Sequence, residues 1–193
     1  MKVAEDMNPT LKHRTAFKKK DLTRALQTYF RNSYRTHISL SALADRKSNI
    51  MVRLNSLLIG LLIVFFKGIV SYNHATVLTG VIFLLTALAS LVFAALAARP
   101  HITSVLSAGS SIDEAKRNLF FFGNFVKLDM EKYTASFESL LEEPDLTYEN
   151  MIRDLYFLGK VLDKKFRLLK FSYLIFIWGL VLTVISFLFA VLL

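Results

Sequence analysis

The chain of 193 residues has no cysteine, three prolines, seven glycines and one tryptophan. Without cysteine there is no disulfide framework and no thiolate metal or redox site, which fits a protein facing the cytoplasm without selecting a compartment. Between Pro9 and Gly60 neither glycine nor proline interrupts the chain. Catalytic signatures are missing as well. There is no G-x-S-x-G, P-loop, H-E-x-x-H or glycine-rich dinucleotide turn, and His13, His37, His74 and His101 lack ligand spacing. The insert's carboxylates read as solvated helix charges. The expectation is a protein that is not an enzyme, with no metal and no resident cofactor.

What the sequence has in quantity is apolar residues, 54% of the total, with a mean hydropathy of +0.44. Residues 75–98 form a run of 24 without a charge and residues 171–193 one of 23. A helix needs about 20 apolar residues to cross about 30 Å of hydrocarbon. A third span covers residues 54–72, interrupted by Lys67 and separated from the next run by Ser-Tyr-Asn-His at 71–74, which suits a tight hairpin. The first apolar run begins some 50 residues into the chain with no cleavage-type small-residue site before it, so none of the three reads as a signal peptide.

The chain thus divides into a basic flexible arm (1–20), one or two cytoplasmic amphipathic helices (21–53), a first span (54–72), a second (75–98), a helical cytoplasmic insert (99–170) and a third span (171–193). The fold class is an all-α membrane protein, with three transmembrane helices and a cytoplasmic bundle built from juxtamembrane extensions and the insert.

Charge orients this arrangement. Residues 1–53 carry twelve Lys and Arg against four acids, residues 71–74 carry none, and residues 99–170 carry eleven of each sign. The positive-inside rule places the N-terminus and the insert in the cytoplasm and the C-terminus outside. The arm L-K-H-R-T-A-F-K-K-K at 11–20 reads as an anionic-lipid tether, a solvated tail or a nucleic-acid patch. A basic cluster beside a bilayer meets lipid by default, at roughly 1 kcal/mol per cation. No helix-turn-helix, zinc finger or aromatic RNA-binding motif accompanies it, so the expected partner is the bilayer and not nucleic acid.

Residues 22, 25, 26, 29 and 30 recur at helical steps, and one helix, or two joined near residues 36–39, leads into the first span. Asp45, Ser48, Asn49, Arg53 and Ser56 fall on one side of it; Leu43, Ile50, Leu54 and Leu57 fall on the other, with Lys47 among them. This polar side is either a solvated face with snorkelling cations or a buried site, in which case its groups require partners. Lys67 either snorkels to the outer interface or lines a path through the membrane.

In the insert, Arg99-Pro100 closes the second span, and Ser111 and Glu114 have capping-box spacing. Asp129 is placed to cap a helix over 130–141, which Glu-Glu-Pro-Asp at 142–145 ends. Glu149 and Arg153, like Asp163 and Arg167, are acid-before-base pairs at i,i+4. R-N-L-F-F-F-G-N-F at 117–125 supplies aromatic packing, an interfacial segment, or an aromatic wall for a ligand base or partner subunit with Arg117 or Lys127 nearby for an anion.

H-I-S-L-S-A-L-A-D-R-K-S-N-I-M-V-R-L-N-S-L-L-I-G from His37, A-R-P-H-I-T-S from Ala98, K-R-N-L-F-F-F-G-N-F from Lys116 and the stretch from Met151 to Tyr173 together resemble the transmembrane effector family of Pycsar anti-phage systems. The likeness covers most of the chain after Asp21. The family's motifs fall on Asp45, Arg46, Lys47, Asn49 and Asn55, on Arg99 and Pro100, on Asn118, Phe121, Phe122, Gly123 and Phe125, and on Asp154, Gly159 and Lys164.

The resemblance implies a multi-pass protein of the bacterial inner membrane, encoded beside a pyrimidine cyclase. It implies activation by cyclic CMP or cyclic UMP and abortive infection through loss of membrane integrity. No strands are expected that could build a β-roll nucleotide domain, so a ligand site must be helical, within one chain or between the subunits of a homo-oligomer. One phosphate and one pyrimidine face call for a cation and an aromatic. The candidate ligand residues are Asp45, Arg46, Lys47, Asn49, Arg53, Phe121 and Phe122, and the membrane-path candidate is Lys67. Two rival readings are a constitutive membrane scaffold for a soluble partner and a channel subunit.

Overall fold

A computed structural model describes residues 9–72, 74–99 and 119–192, with side chains described for 23–65, 74–99, 119–143 and 145–192. Among the described residues there are only helices and turns. The order is α1 (Pro9–Tyr72), α2 (His74–Ala98), a single turn α3 (Phe122–Phe125), α4 (Met130–Glu142) and α5 (Pro144–Leu192). Helix α1 is unbroken through 36–39 and begins at Pro9, where the sequence placed a flexible arm up to residue 20. Proline suits the first turn of a helix, where its missing N–H is not needed, and the Leu and Lys residues that follow are good helix formers. The expected capping box at Ser111 and Glu114, with Pro100, Arg117 and Asn118, lies outside the described residues.

The chain forms two compact units, one up to Ile38 and one from Ser39 onward. In the first, Tyr29 and Phe30 meet edge to face, and Tyr29, Asn32, Ser33, Thr36 and His37 line a shallow groove. Among the described residues three helices are long and apolar enough to cross a membrane, within Thr23–Phe65, His74–Ala98 and Asp145–Leu192.

Packing in the second unit follows a seven-residue rhythm. On α1 the buried residues are Ala44, Ser48, Met51 and Asn55; on α2 they include Ala87, Ser90, Ala94 and Ala97; on α5 they include Lys165, Leu169, Ser172 and Gly179. Steps of three and four keep one seam of each helix turned inward. Small residues on that seam let the backbones approach, as membrane helices require when apolar burial gives no drive for association. Met51, Ala94, Ala97 and Leu169 form its apolar centre, with Val52, Leu168, Tyr173 and Phe176 packed around them. At Gly179 the two helices come close: a Cβ built there would lie 2.5 Å from Thr86 Cβ.

The outer surface has the opposite character. Leu43, Ile50, Leu54 and Leu57 are exposed on α1, as are Leu85 and Leu88 on α2 and Ile177, Val181 and Val184 on α5. An apolar exterior around a partly polar seam inverts the soluble pattern and suits helices surrounded by lipid.

The insert is tied to α5. Leu119 is buried, and its N–H donates to Asn150 Oδ1 at 2.9 Å, while Asn150 Nδ2 donates to the Leu146 carbonyl at 2.9 Å. Asp129 caps α4 by accepting from the Lys132 N–H at 2.8 Å. That bond favours the ionised carboxyl and holds the Asp129 pKa below the usual aspartate value. Helix α4 stops at Glu142 and Pro144 opens α5, as the Glu-Glu-Pro-Asp break requires.

Candidate functional site

The polar side of α1 divides in two when it packs. Ser48 turns fully inward and Asp45 partly so, whereas Asn49, Arg53 and Ser56 stay exposed. Just before the apolar runs of α1 and α5, Lys165 Nζ donates to Asp45 Oδ1 at 2.8 Å, Asp45 Oδ2 at 3.0 Å and Ser41 Oγ at 3.1 Å. The lysine side chain is 10% exposed and the aspartate 41%. Removing an ammonium from water is tolerable here because all three of its N–H donors have acceptors. By contrast, Glu149–Arg153 and Asp163–Arg167 are solvated pairs on one helix, each worth a few tenths of a kcal/mol.

Arg46 and Lys47 flank this clamp and are exposed. Arg46, Asn49 and Arg53 follow steps of three and four, so they share one side of α1, the Cα atoms of the two arginines about 10 Å apart along the axis at 1.5 Å per residue. This outward polar strip is chemically suited to an anion. Asp45 is committed to Lys165 and is not part of it.

The two aromatic candidates lie in different surroundings. Phe121 is buried with its ring centroid 5.5 Å from that of Phe157, whereas Phe122 is 53% exposed and meets Phe125 edge to face at 5.5 Å. Successive residues about a tight turn point apart, so the pair does not form one wall, and only Phe122 presents a free face. The side chain of Lys67 lies outside the described residues.

Sequence reasoning named Asn55 only as a family motif position and missed Ser90 and Ser172, with which it joins the helices within the membrane. Asn55, Ser90 and Ser172, all fully buried, connect α1, α2 and α5: Asn55 Nδ2 donates to Ser90 Oγ at 3.1 Å, and Ser90 Oγ donates to the Ser172 carbonyl at 3.0 Å. Ser172 Oγ returns a bond to the Ser90 carbonyl at 2.8 Å. Nearer the far end, the hydroxyls of Thr79 and Ser186 are 2.7 Å apart. The signal was present in α5, where Lys165, Ser172, Gly179 and Ser186 recur every seven residues.

An all-helical chain with three membrane-crossing helices, clamped by an ion pair beside a cationic strip, defines a membrane protein built around a polar internal seam. Residues 28–192 match the family PycTM, described as the Pycsar effector protein domain. The chain belongs to that family, and its role lies in the anti-phage Pycsar system as a transmembrane effector of antiviral defence. No curated protein and no solved structure matches it.

Proposed function

We propose that the chain is the membrane-damaging arm of its system: it binds cyclic CMP or cyclic UMP made by a cognate cyclase during infection, oligomerises, and impairs the bacterial inner membrane so that the infected cell is lost. The N-terminus and the insert face the cytoplasm, where the nucleotide is made, and the C-terminus faces outward, in accord with the excess of Lys and Arg in residues 1–53.

The observation that carries this reading is the exposed strip of Arg46, Asn49 and Arg53, with Lys47 beside it, at the entry of α1 into its apolar run. The cyclic phosphate lies between the two guanidiniums, and Phe122 of a neighbouring protomer supplies the stacking face. A ligand shifts a population only by its greater affinity for one state. A site completed across protomers meets that condition, since the assembled state alone offers both phosphate and base contacts. Effector chemistry of this kind requires no catalytic group.

Isothermal calorimetry of detergent-solubilised protein with cyclic CMP, UMP, AMP and GMP tests it. One pyrimidine nucleotide binds selectively, and Arg46→Ala with Arg53→Ala weakens it at least tenfold in a folded protein. Absence of binding to all four by folded, assembled protein overturns the reading.

A further inference from the structure

We infer that the polar seam enclosed by α1, α2 and α5 is the path by which small hydrated ions cross once the effector is activated, so that each protomer carries a closed conduit in its own helix bundle. The inference rests on the membrane-damage reading above and specifies where the damage occurs.

Polar groups recur along the seam on either side of its apolar centre. From the Asp45–Lys165 clamp it passes Ser48, the Asn55–Ser90–Ser172 junction, the contact of Thr86 with Gly179 and the Thr79–Ser186 hydroxyl pair. Lys165 and Ser186 are 21 residues apart on one helix, about 31 Å at 1.5 Å per residue. That matches the roughly 30 Å of a hydrocarbon core. A polar line of this length runs the depth of a bilayer.

Hydrogen-bonding residues also hold membrane helices together, and fixed packing alone calls for each such group to be satisfied. Here two are not. Asn55 Oδ1 and Ser48 Oγ are buried, both residues being 0% exposed, and neither has a hydrogen-bond partner among the described residues. They sit seven residues apart on the inward side of α1, and the amide nitrogen of Asn55 already reaches across to α2. An amide oxygen and a hydroxyl without protein partners gain partners when water enters, so hydration favours the separated helices at this level. The outer faces at Leu85, Val92, Val181 and Val184 are apolar and offer water nothing.

Beyond the clamp the described polar groups of the seam are hydroxyls and one carboxamide, interspersed with Met51, Ala87, Ala94 and Leu169, and none of them carries a formal charge. Such a lining hydrates cations and anions alike, so the conducted class is small monovalent ions of either sign. In the structure described, Gly179 lies against Thr86 and the seam is shut.

The absence of cysteine permits a direct test. Thr79→Cys, Ser90→Cys, Ser172→Cys and Ser186→Cys, with the outward controls Leu85→Cys and Val184→Cys, are expressed with an active or inactivated pyrimidine cyclase, and labelling by a charged, membrane-impermeant methanethiosulfonate is measured beside membrane potential. Labelling of the seam cysteines is expected to rise at least tenfold when the cells depolarise, with the two controls unchanged. Four seam positions keep the test informative if one variant fails to fold. Depolarisation with every folded seam variant unlabelled overturns the conduit while leaving the effector reading intact. An unsubstituted chain that never depolarises the cell overturns the effector reading and the conduit with it.

Discussion

Lys165 Nζ lies 2.8 Å and 3.0 Å from the two carboxylate oxygens of Asp45, joining α5 to α1 just outside their apolar runs. The two partners differ in their access to water, the lysine being 10% exposed and the aspartate 41%. Losing Asp45 therefore strands a buried ammonium, whereas losing Lys165 leaves a carboxylate that water can reach. Asp45→Ala is expected to destabilise the assembly by about 2–3 kcal/mol and Lys165→Met by about 1 kcal/mol, discounted from the several kcal/mol of a fully buried pair. Denaturant titration of both single variants and the double variant in detergent checks this, the double variant recovering part of the Asp45→Ala loss.

A methyl group added at Gly179 meets Thr86 Cβ at 2.5 Å, so α2 and α5 must part to admit it. Gly179→Ala is expected to cost about 1–3 kcal/mol as an overpacked contact. Thr86→Gly in the same chain restores part of the loss. Thermal unfolding of the single and the double variant measures both effects.

Asn150 holds the insert by accepting from the buried Leu119 N–H. Asn150→Leu removes that acceptor and leaves the amide unsatisfied, a penalty of about 1–3 kcal/mol. Limited proteolysis is expected to cut the 119–128 segment faster in this variant. Cleavage elsewhere in the chain stays as in the wild type.

Asp129 has its pKa lowered from the ordinary 3.8, chiefly by the Lys132 N–H. A depressed carboxyl stabilises the fold while ionised, so its contribution is complete above the ordinary value and disappears as pH falls through the lowered one. The Lys132 amide resonance is expected to titrate with a midpoint below 3.8, and Asp129→Asn abolishes that titration. Asp129→Ala removes the acceptor and loosens the first turn of α4, read by amide exchange at Glu131 to Tyr133.

The local features of the fold were legible because their causes are local. An uncharged run at 75–98 became α2, Asp129 became a cap, and Glu143-Pro144 separated α4 from α5. The polar side of α1 was legible as a side but not in its direction. In a bilayer the apolar Leu54 and Leu57 turn outward, and the inward line passes through Ser48 and Asn55. Lys165 went unrecognised because its partner is remote in sequence, and its exposed neighbour Lys164 carries the same charge. Phe121 and Phe122 read alike as letters; the turn buries one and exposes the other. Helical periodicity groups residues by side, whereas the partner of each side depends on which helices meet.

The most direct test of the account is leakage from proteoliposomes holding the purified protein and a trapped small-ion indicator, with each of the four cyclic mononucleotides added in turn. Release with one cyclic pyrimidine, none with cyclic AMP or GMP, and loss of release in the Arg46→Ala, Arg53→Ala double variant are the predicted results. Equal leakage with and without every nucleotide, from protein shown to be folded and inserted, contradicts a ligand-switched membrane effector.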